Sequence, residues 1–219
     1  RSIAIGFAIP GSSVIAPTAS GIGSVAFGPG NVVSGDYGTS FGVINVVSGE
    51  NAMSWGQLNT TSNFRSTAWG ENNTSSAVNS TVWGDGNTAS GSEATAFGHN
   101  TSASGSASTS FGQGSTASGI GSVAFGTDTI ASGNFSTAFG VTNFARSDYE
   151  TVFGLWATDY IPVGGLTDRL LNIGNGTGIG SESDAFTILK NGETGIAIDN
   201  FEANTNGNIF QVGDGATNI

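Results

Sequence analysis

The chain has no cysteine, one histidine, one methionine and only five fixed positive charges among 219 residues. The lack of cysteine excludes disulfides and thiolate metal sites, though it does not fix a compartment, since extracellular bacterial proteins often lack cysteine. The five cations (Arg1, Arg65, Arg146, Arg169 and Lys190) are scattered, and the net charge is −11. With no basic patch, nucleic acid is a poor partner, and an anionic membrane surface is not expected as one either. No apolar run has the length of a membrane-spanning helix, so no direct membrane insertion of this segment is expected. No stretch carries a helical period. With His99 the only histidine, no nucleophile–histidine–acid set can be assembled, and no glycine sits in a strand-to-helix phosphate loop. These absences point away from an enzyme and from any cofactor. The first residues, Arg1 to Gly6, read as part of a repeat and not as a signal peptide, so the chain is expected to be an internal piece of a longer polypeptide.

Glycine, in contrast, is abundant, with 36 residues. Ten of them return every 14 residues: Gly28, Gly42, Gly56, Gly70, Gly84, Gly98, Gly112, Gly126, Gly140 and Gly154. Each follows an aromatic: Phe27, Phe41, Trp55, Trp69, Trp83, Phe97, Phe111, Phe125, Phe139 and Phe153. A fixed short period of this kind specifies a solenoid, built by stacking one coil on the next. Each unit divides into two halves of about five residues ending in glycine, such as Ser122-Val-Ala-Phe-Gly126 and Thr129-Ile-Ala-Ser-Gly133. That pattern suits two short strands joined by tight turns, with coils pairing in parallel at about 4.8 Å per coil.

Alternation along each strand sets the expected faces. Ten exposed aromatics in a line invite aggregation, so the aromatic column is expected in the core. It would lie opposite the small residues Ala89, Ala103, Ala117 and Ala131 of the second strand. On that reading Phe111→Ala opens a core cavity and costs about 3–5 kcal/mol. The other parity of the first strand (Ser66, Ala68, Ser80, Val82, Ala94, Ala96, Ser108, Ser110, Ser122, Ala124, Ser136 and Ala138) then forms a flat face of small residues for association with other chains. Thr88, Ser90, Ser102, Ser104, Thr116 and Ser118 form a solvent-facing hydroxyl surface.

Four segments are expected. Residues 1–18 hold a partial coil and an inserted loop containing Pro10 and Pro17. Residues 19–154 form the repeat, and residues 155–165 a junction with Pro162 and a Gly-Gly pair. Residues 166–219 form a β-rich module with strands at Ala185–Leu189 and Gly207–Val212.

Ser-Val-Ala-Phe-Gly followed by Ala-Ser-Gly at a period of 14 resembles the head repeats of trimeric autotransporter adhesins, the YadA-like heads. The resemblance covers residues 19–154. It implies an all-β, left-handed parallel β-roll, homotrimeric, with a surface for host matrix or other receptors. The chain departs from that family in using Phe or Trp where Ile is usual, and in placing Asn63, Ala77 and Ser147 at the second glycine position. Asp168–Gly176 and Asp184–Gly192 are similar to a β-repeat of bacterial surface fibres and phage tail fibres. The implied role is a structural and adhesive segment of an extracellular trimeric fibre, on a bacterial surface or a virion, whose receptor is a protein or a glycan.

Three constellations are weighed as sites. Trp55, Trp69 and Trp83 could stack on sugars but occupy the column expected in the core. Glu71, Asp85 and His99 follow the glycine on consecutive coils and could bind a divalent cation or exchange protons. A solvated turn column is the plainer reading, and it serves equally for Asp36 and Glu50. Asn31, Asn45, Asn59, Asn73 and Asn87 form an asparagine ladder with a structural role. Two rival functions are an ice-binding solenoid using the Thr/Ser-x-Ser face and a fibre-borne polysaccharide-degrading enzyme. The latter needs a groove with paired acids, which short regular coils barely provide.

Overall fold

A computed structural model describes residues 1–6 and 15–196. The chain is all-β and forms a parallel β-solenoid of about ten coils. Each full coil contributes a five-residue strand, such as Thr109–Gln113, and a two-residue strand, such as Thr116–Ala117. The longer strands stack into one sheet and the shorter ones into a second. Every neighbouring pair from Ile3–Ile5 to Arg169–Asn175 in the first sheet runs parallel; from Val25–Phe27 to Thr151–Leu155 the register advances by one repeat, pairing Phe97 with Phe111 and Phe111 with Phe125.

The glycine beat has a steric origin. Gly112 has φ +116°, and a Cβ there would lie 2.0 Å from the carbonyl oxygen of Gly126 on the next coil. The other members of the column make the same approach at 1.9–2.2 Å, so the coils stack at this spacing only if no side chain intervenes. Turns add left-handed residues: Asn51, Asn79 and Asn100 adopt φ near +55°, a conformation asparagine tolerates well. Asn63, Ala77 and Ser147 occupy the second glycine position without interrupting strand pairing on either side.

The structure reverses the expected inside and outside of the first strand. The fully buried column is Ala26, Ser40, Ser54, Ala68, Val82, Ala96, Ser110, Ala124, Ala138 and Val152. Ser66, Ser80, Ala94, Ser108, Ser122 and Ser136 are buried with it. The face assigned to association is therefore the core, and the aromatic column points outward. Phe111 is 36% exposed and Trp83 52%. The physical reason is volume. Ala117, Ala124, Ala131 and Ala138 from the two sheets already fill the interior against one another, and a ring has no room between them. The core placement of Ala89, Ala103, Ala117 and Ala131, and the outward placement of Thr88, Ser90, Ser102, Ser104, Thr116 and Ser118, hold as read from alternation.

The asparagine ladder runs inside the roll. Asn73 is fully buried; its Nδ2 donates to the carbonyls of Gly84 (2.8 Å) and Trp69 (2.9 Å) and to Asn59 Oδ1 (3.1 Å). Its Oδ1 accepts from the Asn87 backbone amide at 3.0 Å. The same pattern begins at Asn31, passes through Thr101, Ser115 and Thr129, and resumes at Asn143.

After Leu155 the chain leaves the solenoid and returns as Arg169–Asn175, which continues the first sheet in parallel. Asp184–Leu189 and Thr194–Gly195 then add antiparallel. Arg169 ties this end together, reaching Asp184 at 3.2 Å and the Thr158 carbonyl at 2.6 Å, with its guanidinium 4.4 Å from the Tyr160 ring centre. Most of the inserted loop, including Pro10, and the strand expected at residues 207–212 lie outside the described residues.

Candidate functional site

The most extensive candidate surface among the described residues is the outer face of the five-residue-strand sheet. Because side chains alternate, burying the Ala/Ser/Val column forces its neighbours outward: Phe27, Phe41, Trp55, Trp69, Trp83, Phe97, Phe111, Phe125, Phe139 and Phe153. Parallel in-register pairing places each ring over the next. Centroids are 4.8, 4.5 and 4.9 Å apart along Phe97, Phe111, Phe125 and Phe139, with planes within 9° of parallel. Trp55 and Trp69 stack at 5.2 Å and 10°. Most members are more than a third exposed. Beside Phe27, Phe41 and Trp55 the flanking glycines leave an apolar depression of about 490 Å³.

Ring orientation constrains what this face accepts. Where the rings stack, their faces cover one another along the fibre axis and their edges point outward. A sugar needs a ring face, so Trp55 and Trp69, though outside the core, are poorly disposed for sugar stacking. A continuous apolar ridge of ring edges suits another protein surface.

Glu71, Asp85 and His99 do stand in register on consecutive strands. Asp85 Oδ2 and His99 Nε2 approach to 3.6 Å, both about half exposed, and the Asn100 amide lies against the His99 ring. Glu71 is not drawn into this pair, and among the described residues no three His, Asp or Glu side chains group to hold a metal ion. Asp36 is a turn residue whose Oδ1 accepts the Ile22 amide at 2.7 Å, and Asp148 does the same for Asn134 at 2.8 Å. These acids brace turns between coils.

One buried acid escaped the sequence reading. Glu150 occupies the turn position where Ser66, Ser80 and Ser136 donate to a carbonyl three residues back. It is fully buried, and its Oε2 accepts the amides of Arg146 (2.7 Å) and Ser147 (2.9 Å), while Oε1 has no partner. Burial pushes its carboxyl above the ordinary value, against the opposing amides of Ser147 and Arg146, the charge of Arg169 and the Tyr160 hydroxyl. Its column was legible in the sequence, where an acid replaces a small hydroxyl. At Asp168 burial also opposes charge. The amides of Gly165, Val163 and Gly164 and the nearby Lys190 outweigh it and hold the carboxyl below its ordinary value.

Among the described residues no helix is long and apolar enough to cross a membrane. Comparison with curated proteins finds no match. Comparison with protein families finds the family described as YadA head domain repeat (2 copies), matching residues 19–43, 89–115 and 117–141. These matches fall on stacked coils of the observed solenoid, which over these residues are YadA-like head repeats.

Proposed function

We propose that the chain is the structural and adhesive segment of an extracellular fibre on a bacterial cell surface, acting as a homotrimer and without enzymatic activity. The observation that carries this reading is the exposed aromatic ladder from Phe27 to Phe153. An apolar ridge this long on a lone chain is a liability unless covered. Three copies around one axis, each ridge packed against its neighbours, cover it and close the assembly. Seven of the ten rings expose about two-fifths of their surface, on the order of 600 Å² per chain, which approaches the size of a specific interface. The rod then presents its hydroxyl face and its turns outward, and three copies engage a receptor together.

Attachment is tested with beads coated with the protein and applied to cultured eukaryotic cells and to immobilised extracellular-matrix proteins. Retention above that of albumin-coated beads is expected on at least one surface. No retention on any of them contradicts the attachment reading.

A further inference from the structure

The last regular coil ends in an open aromatic platform. Phe135 and Tyr149 occupy the same turn position on consecutive coils, both left-handed (φ +55° and +63°) and both exposed, at 55% and 61%. The middle coils hold Asn51, Arg65, Asn79, Glu93 and Ala107 here, side chains that do not spread a ring over the turn; Tyr37, near the other end, is a single ring with Asn51 on the next coil. The two rings stack at 5.5 Å with planes 12° apart. Beneath Phe135 lies Gly121, where a Cβ would come within 2.8 Å of the ring, so glycine there leaves room for it. Above Tyr149 there is no further coil, because the chain departs after Leu155. In its place is a cavity of about 510 Å³, walled by Tyr149, Asp148, Arg146, Pro162, Asp168 and Lys190.

The chemistry of this wall selects a class of ligand. One aromatic at its edge offers an apolar surface. The cations are already matched: Arg146 Nη2 donates to Asp159 at 2.6 Å, and Lys190 lies 3.8 Å from Asp168. A free anion would meet Asp148 and Asp168 before finding an unpaired cation, and a purely apolar ligand would strip water from these charges. A pyranose has a C–H face for a ring and hydroxyls that both donate to carboxylates and accept from cations. Its size suits the volume. We propose that Tyr149 and the cavity above it form a binding site for an uncharged saccharide. This deepens the attachment reading and rests on it for its biological use. Binding itself is read on the purified protein, so its failure would leave attachment through other surfaces standing.

The probes are glucose, galactose, N-acetylglucosamine, N-acetylgalactosamine, fucose and N-acetylneuraminic acid, followed by saturation-transfer NMR and titration with the purified assembly. At least one neutral sugar is expected to bind with a Kd of about 1 mM, a free energy near −4 kcal/mol. Tyr149→Asn installs the residue that other coils carry at this turn, so the fold is retained. It is expected to weaken binding at least tenfold. Tyr149→Phe, which keeps the ring, is expected to stay within threefold, and Tyr37→Asn, at the same turn position near the other end, to leave binding unchanged. Three results overturn the proposal: no neutral sugar binding, binding by N-acetylneuraminic acid alone, or wild-type affinity in Tyr149→Asn.

Discussion

At the scale of single residues, the fold depends on what is left out. The Gly112 position has no room for a methyl group, since the next carbonyl oxygen would lie 2.0 Å from it. Its φ of +116° is also costly for an L-residue. Gly112→Ala is therefore expected to destabilise by at least about 3 kcal/mol, read by urea unfolding, with strain and coil separation both contributing. Glu150 supplies a residue-scale effect of pH. Because the folded state raises its pKa, folding favours the protonated acid; that contribution is complete below the unfolded value and is lost as pH rises through the folded one. Glu150→Gln cannot ionise, so it is expected to melt higher than the parent at neutral pH, with the difference closing in acid. Asp168 has the opposite sign. Its lowered pKa stabilises the fold above the unfolded value, and this is lost as pH falls through the folded one. Asp168→Asn is expected to melt lower at neutral pH and to converge with the parent in acid. Paired melting curves across pH check both signs.

At the scale of the strand and coil, stability comes from ladders that repeat one interaction. Asn73→Ala strands the Gly84 and Trp69 carbonyls and the Asn87 amide in a buried space, and is expected to cost about 2–4 kcal/mol. Asn73→Thr is expected to cost less, because Thr101 and Thr129 already serve at this position in other coils. Chemical unfolding of the two variants side by side checks the order. Much at this scale was legible in the sequence: the 14-residue beat gave the coils, and alternation placed Ala89 and Ala103 inside. The inside of the first strand was not, because Ser-Val-Ala-Phe-Gly has two parities and each looks buriable. A preference for burying rings chose Phe111 over Ser110. Interior volume chooses Ser110, since the facing alanines leave space for only a small side chain. The expected core cavity from Phe111→Ala falls with that assignment. Glu150 stands out only against its column of Ser, Ala and Gly, since nothing local in Ser147-Asp-Tyr-Glu150 marks the acid as buried.

At the scale of the whole molecule, the reversed parity changes what the aromatic beat is for. Inside a roll, the rings would stabilise one chain. On its outer face they are exposed and available to pack against other chains, and the proposed trimer would join the repeat to the fibre through this single column of side chains. The hydroxyl face of the shorter strands and the turns, including the Tyr149 platform, are then the surfaces that remain outward. The measurement that tests this most directly is the mass of the purified protein in solution, by sedimentation equilibrium, before and after Phe111→Asp with Phe125→Asp. The account predicts three times the 21.8 kDa chain mass for the parent and a folded, β-rich species of single-chain mass for the double variant. A parent of single-chain mass, or a double variant that stays trimeric, contradicts it.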